Sequence, residues 1–264
     1  MNQSINLNRN KLIPVHIPNL PTAAVRFVIA AEGVVGLNES LKKLSINVLS
    51  CQKNLLLENS LACHADMLVY HLGDNKFLLG REQMFLLDDF SHLDYKVSSI
   101  SSRIMSPYPS DVFLNAARVG KWLICNIKTT APEILSAADE MSLEIIAVKQ
   151  GYTKCSICVI NENTIITDDN SIYNASKAKG IDVLLIRKGS IKLKGHEYGF
   201  IGGCTGLIDK TKLAFCGDYK KHDDCRSIDK FLDKHGIEPV VLLEGELQDI
   251  GGILPILQEN ELID

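Results

Sequence analysis

Tyr198–Asp209 reads YGFIGGCTGLID, with four glycines between Gly199 and Gly206. A glycine-rich stretch of this kind either cradles a phosphate or starts a structural element that needs close backbone approach. The spacing matches neither G-x-G-x-x-G after a strand nor G-x-x-x-x-G-K-[ST], and no helix starts directly after it. It reads instead as the beginning of a strand, because the next residues give the turn Asp209–Lys212, the strand LAFCG, the helix DCRSIDKFLDKHG and the strand IEPVVLLE.

The same order recurs upstream. From Lys154 the chain runs KCSICVI, the turn NENT, the strand IIT, the helix SIYNASKAKG and the strand IDVLLIR. From Asp111 it runs DVFLNAA, RVGK, WLIC, the helix TAPEILSAADEM and LEIIAVK, and from Ala65 it runs ADMLVYHL, GDNK, FLLG, a polar segment and YKVSSIS. An earlier copy, VRFVIAA, NESLKKLS and INVLSC, lacks its first strand. Gly180 and Gly236 stand where helices end on φ > 0, Pro132 suits a first helical turn, and Asp168-Asp169 reads as a helix cap.

These copies give units at about 25–52, 65–101, 110–149, 154–188 and 199–244, a period suited to propellers and arrays. The apolar run at 251–257, GGILPIL, belongs to no unit and supplies the strand that the first one lacks. The fold class is therefore α/β, a five-bladed ring of strand-strand-helix-strand repeats spanning 1–264 as one domain. A doubly wound sheet also alternates strands and helices, but it does not place a tight hairpin in every unit.

The 264 residues carry a net charge of −4, without a basic run or interleaved aromatics, which argues against a nucleic-acid surface. No apolar run reaches the roughly 20 residues of a membrane span. The N-terminus has no apolar secretory core, so a cytoplasmic chain is expected, and the eight scattered cysteines read as free thiols.

A ring of five such units closed by a C-terminal strand resembles the pentein fold of amidinotransferases, arginine and agmatine deiminases and dimethylarginine hydrolases. The chain is most similar to an uncharacterised bacterial group with that fold. The resemblance implies that first strands line a central pocket. It also implies a cysteine that attacks a guanidinium carbon, carboxylates that grip its nitrogens, and a histidine that moves protons.

Counting eleven residues back from Phe77, Trp122, Ile165 and Leu213 gives Asp66, Asp111, Lys154 and Gly202, and the next residues include Cys155 and Gly203. Asp66 and Asp111 are thus the expected carboxylates, with solvent-exposed turn residues as the other reading. Two features depart from the family pattern. The fourth unit opens on Lys154-Cys155-Ser156 where a His-x-Asp motif belongs. Gly251-Gly252-Ile253 stands where the C-terminal nucleophile belongs.

Cys155 beside Lys154, with His64 as base, is the candidate substitute, since a neighbouring cation lowers a thiol pKa. The alternative is that Cys155 packs as a small hydrophobe. Gly202, Gly203, Gly251 and Gly252 are expected to let a ligand approach the backbone. Cys216, His222 and Cys225 lack the paired spacing of a zinc site, so neither metal nor cofactor is expected. His196-Glu197 is read as a loop near the ring entrance.

Three functions suit these readings: a binder of a small cationic, guanidino-type molecule without the usual cysteine chemistry; a divergent hydrolase or transferase using Cys155; or a protein-binding scaffold.

Overall fold

The computed structural model describes residues 12–83, 86 and 93–260. The polar segment of the second unit lies partly outside them. The elements divide into five small sheets. In the first, β1 (Leu12–Pro14), β16 (Leu254–Glu259), β2 (Val25–Ala31) and β3 (Asn47–Cys51) lie side by side, with α1 (Leu37–Lys43) joining β2 to β3. The closing strand is where the sequence places it, antiparallel to β2, whereas β1 was not foreseen.

The other sheets have three strands each. They are β4 (Val69–Gly73), β5 (Lys76–Leu79) and β6 (Lys96–Ser99); β7 (Ala117–Val119), β8 (Trp122–Cys125) and β9 (Glu144–Ala147); β10 (Ile157–Asn161), β11 (Thr164–Thr167) and β12 (Asp182–Leu185); and β13 (Thr205–Asp209), β14 (Lys212–Phe215) and β15 (Glu238–Val241). In each the first pair is antiparallel and the second parallel. A tight hairpin suffices for the former, and a crossover is needed for the latter. A helical turn, α2 (Ala65–Leu68), precedes β4, and the crossover helices are α3 (Pro132–Glu140), α4 (Asn170–Ala178) and α5 (Cys225–Lys234) in the last three units.

Local chemistry sets these boundaries. Pro132 opens α3, Asp169 caps α4 by accepting from the amides of Ser171 and Ile172, and Gly180 and Gly236 take φ of 83° and 65° beyond the helix ends. On α5 the buried Ile228, Phe231 and Leu232 recur at the helical period, so one stripe faces the sheet. Strand alternation divides the interior: Trp122 and Ile124 join one buried cluster while Leu123 and Cys125 join another.

First strands of neighbouring units touch, β7 with β10, β10 with β13 and β13 with β16, so the units turn about a common centre. The residues leading into the first strands of two units, β4 and β13, are not extended as expected. Ala65–Leu68 are helical, and Gly202–Cys204 form a 3-10 turn ahead of β13. Backbone hydrogen bonds through these turns tie one unit to the next.

Candidate active site

The entry turns of four units and the closing segment meet at the centre. His64 precedes α2, Asp66 lies on it, and Lys154-Cys155 form the turn that leads into β10. One ligand-type atom from each of His64, Asp66 and Cys155 lies within 4.8 Å of the other two. All three are buried, Asp66 to 1% exposure and His64 to 3%. Neither carboxylate oxygen of Asp66 has a nitrogen or oxygen donor, and His64 Nδ1 is also without a hydrogen-bond partner. Buried polar atoms are rarely left this way, and where they are they mark a site or stored cost.

Two further residues complete the cluster and were not foreseen. Asp249 approaches His64, with Oδ1 3.7 Å from Nδ1. Its oxygens accept from the amides of Phe200 (2.9 Å) and Gly251 (3.1 Å), which fix its orientation. Burial raises the Asp249 pKa above the usual carboxylate range, His64 opposes this, and Asp66 adds to it.

Asn115 is the second. Its Oδ1 accepts from the amides of Lys154 (2.7 Å) and Cys155 (3.2 Å), and its Nδ2 donates to the Asp66 carbonyl (3.1 Å) and faces Cys155 Sγ at 3.0 Å. With Asp66 N to Gly251 O, Gly252 N to Gly203 O and Gly203 N to Cys155 O, these bonds form a closed cycle. It passes once through every unit.

The thiol of Cys155 has a pKa pushed well above the usual value by burial first, then by Asp66 and Asp249 and its hydrogen bond to Asp66, with Asn115 opposing. The expectation that Lys154 would lower it is corrected: the two carboxylates dominate its surroundings, and it is Cys158 whose thiol Lys154 favours as an anion. Lys154 is itself buried and borders the cluster.

Asp111 does not join the group. It is buried beneath Tyr152, whose hydroxyl donates to its Oδ2 at 2.7 Å, and burial raises its pKa. Register explains the displacement. Arg118 pairs with Leu123 as His71 does with Phe77 and Val159 with Ile165, so Leu123 rather than Trp122 is the matching residue. The hairpins of the other units carry a bulge that β7–β8 lacks. Each difference shifts the count by one, and five residues before Arg118 stands Phe113 rather than Asp111.

The glycines serve the protein's own packing. A methyl group on Gly203 would lie 1.9 Å from Asp249 Oδ1, and one on Gly251 would lie 2.4 Å from His64 Cβ. One on Gly202 would meet the carbonyls of Lys154 and Ile157 at 2.3 Å. Gly252, at φ 78°, is more open, with Lys154 Nζ 3.7 Å from such a group. The volume expected to admit a ligand at Gly203 and Gly251 is thus taken by Asp249 and His64.

A cavity of about 300 Å³ opens beside the cluster, lined by Cys155, Asp249, Tyr152, Tyr198 and Phe200. His196 and Glu197 also line it, in keeping with the ring-entrance reading. A much smaller one of about 20 Å³, room for about one water, touches Asp66, Lys154 and Arg118. The cluster lies between the two. Cys216, His222 and Cys225 form no metal-type group among the described residues.

Solved structures share this architecture. SxtG, an amidinotransferase from Microseira wollei, matches with a TM-score of 0.52 at 11% identity over 88% of this chain and 91% of its own. DDAH from Pseudomonas aeruginosa, complexed with citrulline, matches at 0.55 and 10% over 90% and 100%, and C. jejuni agmatine deiminase at 0.54 and 12% over 90% and 92%. At such identities the likeness establishes the fold, a pentein-type five-bladed α/β propeller. No curated protein sequence matches the chain. No helix among the described residues is long and apolar enough to cross a membrane. Residues 30–254 match the sequence profile of DUF6873, and the chain belongs to that family of unknown function.

Proposed function

We propose that the central pocket binds a small organic cation of the guanidinium or amidinium type and that Cys155 attacks its central carbon. The observation that carries this reading is the convergence of His64, Asp66 and Cys155, with Asp66 buried and its oxygens free of nitrogen and oxygen donors. A planar cation offers N–H donors that such a carboxylate takes at good geometry. Asp249 adds a second carboxylate, its Oδ1 3.7 Å from His64 Nδ1. The stacked Tyr152 and Phe200 rings, 6.1 Å between centroids, give the rest of the ligand an aromatic wall.

The protonated thiol suits this order of events. While the pocket holds two carboxylates and no cation, the thiolate is disfavoured; a bound cation offsets those charges and lowers the thiol pKa. Cys155 then passes its proton to His64, the S–C bond forms as the C–N π pair moves onto nitrogen, and collapse expels an amine that takes the proton from His64. Water or an amine acceptor displaces the thiol in a second round. His64 fills the space that a side chain at Gly251 would need, so nucleophile and base have their places in other units than in the family pattern.

The raised resting pKa of Cys155 favours a second reading, capture of the cation without turnover. Thermal unfolding against agmatine, arginine, methylarginines and creatine, with assay of amine release, separates the two. Stabilisation of about 2–3 kcal/mol is expected near a hundred times Kd. Asp66→Asn should abolish it, and Cys155→Ser should keep the shift but lose amine release. A shift without amine release in the wild type leaves capture, and no shift with any compound rejects the pocket assignment and turns the search to protein partners.

A further inference from the structure

We infer that His64, Asp66 and Cys155 also form a binding site for a single zinc ion, which competes with the organic cation for the pocket. The inference does not rest on Cys155 being a nucleophile. It rests on the donor set and on what those donors lack. An imidazole, a carboxylate and a thiol from two units present ligand atoms within 4.8 Å of one another. Tetrahedral zinc with bonds of about 2.0–2.3 Å needs those atoms about 3.3–3.8 Å apart. Small side-chain rotations cover the difference.

The carboxylate is under-used. Both Asp66 oxygens are buried without a nitrogen or oxygen donor, at 1% residue exposure, and His64 beside it is buried to 3%. A dication with borderline-soft character suits a mixed nitrogen, oxygen and sulfur set better than magnesium or calcium, which take oxygen ligands. With Nε2 as the ligand atom, Asp249 has the place of an orienting carboxylate: its oxygens already accept from Phe200 and Gly251, and Oδ1 stands 3.7 Å from His64 Nδ1, the ring nitrogen that then keeps its proton. Carboxylates in that relation to a ligating histidine fix its orientation. Cys155 also borders the 300 Å³ cavity, so a fourth position opens there to water or a small ligand.

Coordination breaks the S–H bond of Cys155, forms S–Zn and releases one proton to solvent, so affinity rises with pH. The pocket then has two alternative occupants, each supplying positive charge to the same carboxylates.

The test uses the full chain, freed of metal with a chelator and titrated with Zn²⁺ and with Co²⁺ as a coloured probe. One ion per chain is expected, with thiolate-to-cobalt charge-transfer absorption that agmatine reverses. Cys155→Ser should remove that absorption, and His64→Ala or Asp66→Asn should weaken zinc binding at least about tenfold. Cys158→Ser and His222→Ala should bind as the wild type does. Thermal unfolding of each apo variant establishes that it is folded, and the cobalt spectrum of the wild type reads the thiolate ligand without any substitution. Absence of stoichiometric binding, or binding kept in Cys155→Ser but lost in His222→Ala, overturns the inference. The second result would move the ion to the Cys216–Cys225 loop. Zinc binding in a protein that no organic cation stabilises would leave the zinc site standing and reject the proposed function together with the competition.

Discussion

Cys155 and Cys158 stand three residues apart in one unit, both fully buried, and differ in almost everything that decides reactivity. Cys158 lies on β10 among core residues, its thiol pushed up by burial to about 11, with Thr205 and Lys154 opposing. Cys155 lies in the turn before that strand, with an amide donor from Asn115 at 3.0 Å, Asp66 and His64 beside it, and a cavity in front. Its pKa is pushed higher, not lower. Resting acidity alone would therefore favour Cys158, the thiol outside the proposed site. Burial is the largest cause at both thiols; what marks Cys155 is that Asp66 and Asp249 add to it, and a cation can neutralise those two, whereas no carboxylate adds to the shift of Cys158.

The comparison breaks most completely at Asn115. Asn115→Leu leaves the amides of Lys154 and Cys155 and the Asp66 carbonyl without their partner. At roughly 1–3 kcal/mol for each of the three orphaned groups, a loss of at least about 3 kcal/mol is expected. That is a fall in Tm of the order of 10 °C by calorimetry. Stability close to wild type would mean that the turns hold their positions without it.

Alkylation sharpens the contrast between the thiols. Asp66→Asn removes a carboxylate that disfavours the Cys155 thiolate and leaves Cys158 untouched. Mass spectrometry after iodoacetamide should show Cys155 modified at lower pH in the variant, since each unit of lowering gives about tenfold more thiolate below the pKa. Equal movement at both cysteines would point to general loosening.

Asp168 supplies the smallest effect and the control for Asp66. It too is buried with both oxygens unpartnered, but it follows β11 and does not itself line the cavity. Burial raises its pKa from 3.8 to about 7, against Lys188. A carboxyl with a raised folded pKa contributes stability that is complete below its unfolded pKa and is lost as pH climbs through about 7. Wild-type stability should thus fall by about 1–3 kcal/mol from this group between about pH 5 and 8. Asp168→Asn should flatten that slope in urea titrations while leaving cation binding intact.

Much of the ring was legible because each unit repeats a hairpin, a crossover and a parallel strand, and each has its own turn and cap chemistry. The entry turns were not: short apolar runs such as ADML and the glycines at 202–203 do not distinguish a helical turn from a strand, and tertiary contacts decide them. His64, Asp66, Lys154 and Cys155 were within reach because the count back from the second strand holds where the hairpin has its bulge. Asp111 failed where the bulge is missing. Asp249 was hidden for a related reason: five residues before Pro255, the partner of Val28, is Ile250, and Asp249 reaches the pocket from one position outside the repeat. Asn115 carries its role through backbone groups of other units, a signal no local pattern contains.

The cycle of hydrogen bonds through Asp66, Gly251–Gly252, Gly203, Cys155 and Asn115 has a mechanical meaning. Each link borrows its partner from the next blade, so the structure behaves like an arch whose last stone is Gly251–Gly252, the turn that leads into the final strand. The pocket is assembled only once that strand is seated. Without it the four other blades would hold an incomplete circle, so one segment supplies both the closure of the ring and the completion of its centre.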